Sequence, residues 1–412
     1  MRRRMKYYIR RGVDRLMVPY FTAQTAELAR LQDQANSALS SARSGPFNES
    51  SHRPIEAPTA ITQPSPLTDF NLLLHALRSV ELGRMPRAER VLLSVGCSDR
   101  SYFDWIEHAH GLVPEHWGVE FYRPEPDSLP SNARWIVASA SSMPMVADGS
   151  VDVIFSGQNL EHLSVRDLYG FLRESRRVLR PGGSIVIDSP NRLVTAPLMW
   201  RHPEHVVELS PGEARELLAM AGFETTSCRG QWLCADDDGT LLPLLPVADD
   251  GTELLRRAIS AADQPDRSFC WWLEAIVSAD QIDEGELYSH IDDLVARLWR
   301  ERVNRGADTV GTAFAHGGHL VEPGVDGRLY RAGPIPLFPG DTKVRVTGRG
   351  VDGLTVRVHD SEFRVLGSGV REVSLTLDRT EFGVWVDIVS DPPLGEPVTI
   401  FGVDVDTPAI RG

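Results

Sequence analysis

Between residues 67 and 235, short apolar runs alternate with amphipathic stretches, and this alternation is the strongest pattern in the chain. Apolar runs near 91–95, 117–120, 134–138, 151–156, 183–188 and 223–228 predict strands. Thr68 to Leu82 predicts a helix with apolar positions at 72, 73, 76, 77 and 80, and further helical patterns cover Val165 to Leu179 and Pro211 to Ala221. Strands interleaved with helices imply a parallel α/β sheet, here spanning residues 67–318. From about 319 to 412 the texture changes. Alternating runs at 343–347, 354–358, 363–366, 371–377, 383–389 and 397–405, broken by Gly and Pro, predict a β-sandwich or jelly roll. Residues from about 236 to 305 read as a helical insertion in the sheet domain. It holds the helical pattern Glu284 to Val303 and the Trp-rich run Cys270-Trp-Trp-Leu-Glu-Ala, with Trp271, Trp272 and Trp299 expected in its core.

The first 45 residues differ in charge from everything after them. They hold nine Arg/Lys against three Asp/Glu, while the whole chain carries a formal −14, so the remainder stands near −20. Residues 1–18 interleave Arg2, Arg3, Arg4, Lys6, Arg10, Arg11 and Arg15 with apolar and aromatic positions, a pattern that suits peripheral contact with an anionic membrane. Residues 22–41 place Leu28, Leu31, Ala35, Ala38 and Leu39 on one helical face, a short coiled-coil-like segment and a candidate for homo-oligomer contact. Residues 46–66 are Pro- and Ser-rich and read as a linker.

An acidic balance of this size argues against nucleic acid as the main partner, because phosphate recognition needs a basic surface. The four cysteines, Cys97, Cys228, Cys234 and Cys270, show no paired-ligand spacing, which suggests a reducing compartment. The chain has no run of 18 apolar residues, and its basic start lacks the apolar core of a signal peptide. A cytoplasmic location is the expectation, with the start of the chain peripheral at the inner face of the plasma membrane.

Val91-Leu-Leu-Ser-Val-Gly-Cys-Ser-Asp-Arg100 is an apolar run ending at a glycine turn, and Trp117-Gly-Val-Glu120 is a second short run ending in an acid. In a parallel sheet, such carboxyl ends hold nucleotide-like ligands, with backbone on the charged group and the acid on ribose hydroxyls. Met143-Pro-Met-Val-Ala-Asp-Gly-Ser-Val-Asp-Val-Ile-Phe-Ser156, Gln158-Asn-Leu-Glu-His-Leu163 and Arg177-Val-Leu-Arg-Pro-Gly-Gly-Ser-Ile-Val-Ile-Asp-Ser-Pro-Asn191 follow in order.

Together these blocks closely resemble class I S-adenosylmethionine-dependent methyltransferases of the type 11-like kind, over roughly residues 67 to 235. The resemblance implies a Rossmann-like sheet, S-adenosyl-L-methionine as cofactor, and a seventh strand near Ala307 to Ala315. It assigns the turn at Gly96 and Ser98 to the methionine end of the cofactor, Glu120 to the ribose, Ser139 and Ala140 to the adenine edge, and Gln158 to the rim of the fourth strand. Two departures stand out. Only the first glycine of the usual three is kept in Gly96-Cys-Ser98-Asp-Arg100, and Ser139 stands where an acid usually faces the adenine.

Methyl transfer to an alcohol requires loss of the hydroxyl proton, which suits a histidine. His162 and His205 both lie on loops leaving strand ends, and His205 is the expected base because its loop should overhang the acceptor. Glu161 is expected to orient a neighbour. His202 and His205, three residues apart, lack a convincing third ligand, so no metal is expected. The expected function is O-methylation of a sugar hydroxyl in a bacterial glycan, glycolipid or polysaccharide. The alternatives are a non-catalytic scaffold or glycan-binding relative, and a small-molecule or lipid methyltransferase.

Overall fold

The computed structural model describes residues 66–246, 251–313 and 318–410. The basic segment, the coiled-coil-like stretch and all of the linker but its last residue lie outside the described residues.

Helix α1 (Pro66–Arg84) leads a seven-stranded sheet. Its strands are β1 (Val91–Val95), β2 (Glu115–Glu120), β3 (Ala133–Val137), β4 (Val151–Gly157), β5 (Leu179–Pro190), β6 (Phe223–Leu233) and β7 (Ser268–Val277). Across the sheet they run β3-β2-β1-β4-β5-β7-β6. The first five are parallel, and β7 is antiparallel to both β5 and β6. Strand order reverses between β1 and β4, so a crevice opens beyond the carboxyl ends of those two strands.

The helices form where the sequence provides both a start signal and an apolar stripe. α2 (Arg100–His110) begins at Asp99, whose carboxylate accepts the Ser101 amide at 2.8 Å. α3 (Val165–Val178) is capped by Ser164 and buries Val165, Leu168, Phe171, Leu172, Ser175 and Val178, a three-and-four spacing that lays one face on the sheet. A short α4 (Arg192–Thr195) follows β5. α5 (Pro211–Met220) opens with a reciprocal Ser210/Glu213 capping box and Pro211 in its first turn.

The seventh strand differs from expectation. It is formed by Ser268–Val277, which includes the Trp-rich run, and not by residues 307–315. The segment from 236 to 305 is therefore only partly helical: α6 (Thr252–Ala261) precedes this strand and α7 (Glu284–Asn304) follows it. The cause lies in the run itself. A central strand buried on both faces is continuously apolar, and periodicity cannot separate such a run from a buried helix. Trp271, Trp272 and Trp299 are fully buried, and the indole N–H of each finds an acceptor, on Leu209, Glu274 and Val405 respectively.

The C-terminal part is a sandwich of two five-stranded antiparallel sheets. Its strands are β8 (Asp308–Thr309), β9 (Thr312–Ala313), β10 (His319–Val321), β11 (Gly327–Leu337), β12 (Gly340–Arg349), β13 (Thr355–His359), β14 (Val365–Val370), β15 (Glu372–Leu377), β16 (Glu381–Ser390) and β17 (Val398–Asp406). One sheet runs β15-β12-β17-β10-β9 and the other β14-β13-β16-β11-β8. The sandwich thus starts at Asp308, ahead of the expected boundary at 319, because the short β8 and β9 complete its two sheets. β11 escapes the sequence pattern because it contains Pro334 and Pro336. Both lie past the two residues that pair with β8, where no strand among the described residues pairs with that edge of β11 and no donated N–H is needed.

α7 joins the two parts. Trp299 donates to the Val405 carbonyl at 2.9 Å, Asn304 donates to the Val403 carbonyl at 3.0 Å, and the Tyr330 hydroxyl donates to Asn304 at 2.9 Å. The sandwich is therefore docked on the helix that also braces the loop after β5.

Candidate active site

The cofactor-side residues expected from sequence gather at the carboxyl ends of the first four strands. Gly96 follows β1 with φ +70°, and Ser98 also takes a left-handed φ, +46°. The turn is held by bonds from Gly96 N–H to the Val119 carbonyl at 3.0 Å and from Ser98 N–H to Glu120 Oε2 at 3.2 Å. Arg100, in the third glycine's place, turns its guanidinium away to Ser128 Oγ at 2.7 Å. The turn thus keeps its shape with a single glycine, at the expense of strain at Ser98.

Glu120 is buried at the end of β2. Its Oε1 accepts the amides of Phe121, Tyr122 and Arg123 at 3.0, 2.7 and 3.2 Å, and Oε2 accepts only Ser98. A carboxylate offers about four acceptor directions, so the side facing the glycine turn retains capacity for a hydroxyl donor. Beyond β3, Ser139 Oγ pairs with Ser141 Oγ at 2.7 Å, which donates to Asp167 at 2.8 Å. Ala140 is partly buried against the core.

Gln158 points along the sheet rim. Its backbone is left-handed, φ +53°, and its side-chain amide donates to Asp188 at 2.8 Å. Asp188, fully buried at the end of β5, also receives Arg78 of α1 at 2.7 and 3.1 Å. Arg78 lies over the ring of Trp105 at 4.9 Å. Asp188 lies in the block from Arg177 to Asn191, but no sequence signal gives it this role or points to Arg78. Nothing in the spacing links a helix ahead of the sheet to the end of its fifth strand.

The acceptor-side residues come together more tightly than spacing suggests. After β4 a single helical turn spans Leu160–His162. The loop after β5 returns over it, with the Val206 and Val207 amides donating to the Glu161 carbonyl at 2.8 and 3.2 Å. This contact brings Glu161 and His162 against His205. The rings of His162 and His205 stand 5.0 Å apart, and His202 stacks on His205 at 4.3 Å.

Each of these side chains has defined partners. His205 Nδ1 donates to Glu208 Oε1 at 2.9 Å, and Glu208 Oε2 receives Arg305 at 3.0 Å and the Thr195 hydroxyl. His162 Nδ1 donates to the Glu204 carbonyl at 3.2 Å. Glu161 is fully buried; its Oε2 accepts Ser189 Oγ at 2.9 Å, while Oε1 has no partner. Arg302 of α7 donates to the carbonyls of both His202 and His205.

Burial sets most of the proton affinities. It lowers His162 to about 3, lowers His205 against its bond to Glu208, and takes His202 well below the ordinary imidazole value. Burial pushes Glu161 up to about 8, against the bond from Ser189. For Glu208, burial acts upward, but the His205 bond and the charges of Arg302 and Arg305 outweigh it and hold the carboxyl ionised. The three histidines are therefore neutral near pH 7, and in His205 and His162 the proton sits on Nδ1, which leaves Nε2 without one.

The spacing singled out His202 with His205, yet the residues whose donor atoms converge are Glu161, His162 and His205. Arg302 and Arg305 reach the loop from positions that no short motif connects, whereas Glu208 lies three residues from His205 and carries no signal of its own.

Residues 93–187 match the methyltransferase domain family model. A "probable S-adenosylmethionine-dependent methyltransferase" of Mycolicibacterium smegmatis is 42% identical over 85 residues, 20% of this chain and 32% of that protein. One of Mycobacterium tuberculosis strain H37Rv is 39% identical over 88 residues, 21% of this chain and 31% of that protein. The chain thus spans about a third of the length of the curated relatives it matches. Among solved structures, a SAM-dependent methyltransferase from Archaeoglobus fulgidus is similar at TM-score 0.36 and 17% identity, over 50% of this chain and 94% of that one. Residues 93–187, the stretch that matches the methyltransferase domain family, span the first five strands of the sheet, and the sandwich lies on its C-terminal side.

Proposed function

We propose that this protein binds S-adenosyl-L-methionine and transfers its methyl group to a hydroxyl of a glycan, glycolipid or polysaccharide. The observation that carries the reading is the His205–Glu208 pair at 2.9 Å, which leaves the other ring nitrogen of His205 unprotonated in a cluster where donor atoms of His205, His162 and Glu161 lie within 4.8 Å of one another. The relatives' names and the intact turn at Gly96 support the cofactor half.

The chemistry needs little from the protein beyond positioning and one proton acceptor. The acceptor oxygen attacks the methyl carbon, the carbon–oxygen bond forms as the carbon–sulfur bond breaks, and the sulfonium leaves as a neutral thioether. In the cation-free protein the hydroxyl proton passes to His205 Nε2. Glu208, ionised and braced by Arg305, stabilises the resulting imidazolium.

A net charge of −14 disfavours a nucleic-acid acceptor, and an appended β-sandwich suits a carbohydrate. Residues 1–18 add a means of docking on an anionic membrane where such acceptors are assembled, and residues 22–41 add a route to self-association. No helix among the described residues is long and apolar enough to cross a membrane. The test is incubation of the full chain with S-adenosylmethionine and a panel of sugar, lipid and small-molecule acceptors. A gain of one methyl mass on a sugar supports the reading. A gain only on lipids or small molecules reassigns the acceptor, and cofactor binding with no product on any acceptor supports a non-catalytic relative.

A further inference from the structure

We propose that Glu161, His162 and His205 form a binding site for one divalent transition-metal cation. One donor atom from each lies within 4.8 Å of the other two. Donors sharing an ion at bonds of about 2.1 Å stand about 3 to 3.5 Å apart, so small side-chain rotations complete the site.

The surroundings are those that a metal site requires. A ligating imidazole commonly gives its other N–H to a carboxylate or carbonyl, which fixes the ring and leaves the inner nitrogen free. His205 does this with Glu208 at 2.9 Å and His162 with the Glu204 carbonyl at 3.2 Å. Glu161 provides the independent observation: its side chain is fully buried, and Oε1 has no hydrogen-bond partner although Oε2 is satisfied by Ser189. An orphaned carboxylate oxygen in the interior is costly unless something positive or protic fills its direction. His202 is excluded from the set, since its Nδ1 accepts the Glu204 amide at 3.4 Å and its ring stacks on His205.

Two imidazoles and one carboxylate favour manganese, iron, cobalt or zinc over magnesium or calcium, and three protein ligands leave positions open. His162, only half-buried, is the ligand nearest the surface. Resting on the methyltransferase reading, the open positions take the acceptor oxygen. The cation then lowers the hydroxyl's proton affinity, the proton leaves to water, and His205 serves as a ligand in place of a base.

The test is titration of the EDTA-stripped full chain with Co²⁺, followed by visible absorption and calorimetry, with Mg²⁺ as a control. The expected result is one Co²⁺ per chain with imidazole-type bands and a raised melting temperature. Glu161→Ala, His162→Ala and His205→Ala should each lower affinity at least tenfold, and Glu208→Gln, which does not touch the cation, about 10- to 100-fold. Wild-type protein that shows no stoichiometric Co²⁺ uptake overturns the proposal, and this does not depend on whether any variant folds. Uptake unchanged in all four variants overturns it as well. S-adenosylmethionine binding measured in EDTA separates the two claims. Cofactor binding without Co²⁺ uptake removes the metal site alone, whereas Co²⁺ uptake without cofactor binding leaves the site and removes the methyltransferase reading.

Discussion

His205 Nδ1 lies 2.9 Å from Glu208 Oε1, with both side chains buried and Glu208 also held by Arg305. The pair selects the tautomer of His205 that leaves Nε2 without a proton, in a residue whose donor atom lies within 4.8 Å of those of Glu161 and His162. The loop that carries it is fastened from below by Arg302 and from the side by the Glu161 carbonyl. The loop that carries His205 is therefore held in place by α7, the helix on which the sandwich is seated.

His205→Ala should lower methyl transfer by about 10²- to 10⁴-fold, the usual share of acid–base catalysis. S-adenosylmethionine affinity should stay nearly unchanged, because no cofactor-side residue bonds to this side chain. Steady-state rates and calorimetry on the same preparation check both halves. Added Co²⁺ or EDTA shows whether the residue acts as base or as ligand.

Glu120→Ala should weaken S-adenosylmethionine binding by about 1 to 3 kcal/mol, the range for charged hydrogen bonds. It should also lower the melting temperature, because the amides of Ser98, Phe121, Tyr122 and Arg123 lose their common acceptor. Calorimetry and thermal unfolding read the two effects separately.

Ser98→Gly should raise stability by up to about 1 kcal/mol. Glycine removes the left-handed strain at φ +46° but adds freedom to the unfolded chain, which offsets part of the gain. Cofactor affinity should hold or improve. A fall in melting temperature would show that the serine side chain contributes more than its backbone strain costs.

Asp152 accepts the amides of Arg90 and Val91 at 2.6 and 2.8 Å and the Arg180 guanidinium at 2.6 Å. Burial acts upward on its carboxyl, but these bonds outweigh it and hold the folded value below the ordinary one. The unfolded chain therefore binds the proton more readily. The resulting stability is present above the usual aspartate value of about 3.9 and is lost as pH falls through the lower folded value. Asp152→Asn should melt lower than wild type at neutral pH, and the gap should close in acid; denaturant unfolding across pH measures it.

Much of the fold could be read from sequence because its local signals agree. The apolar runs, the helical patterns at Val165–Leu179 and Pro211–Ala221 and the β1 run into Gly96 each point to their element. β7 could not be read, since Phe269 to Ala275 is buried on both faces and shows no alternation. At the site, Gly96 and Glu120 sit at strand ends and His162 and His205 on the connections that follow β4 and β5, in the order the motifs give. Arg302, Arg305 and the link from Arg78 to Asp188 depend on contacts between distant segments, and only the assembled chain shows them; Glu208 is local to His205, but its spacing alone does not mark it as the partner. The same contacts turn Glu161 from an expected orienting neighbour into a metal-ligand candidate.

Calorimetric titration of the full chain with S-adenosylmethionine is the most direct test of a working cofactor crevice. One site per chain is expected, weakened by Glu120→Ala and left nearly intact by His205→Ala. Wild-type protein that releases no binding heat, and whose melting temperature does not move with added cofactor, would contradict it.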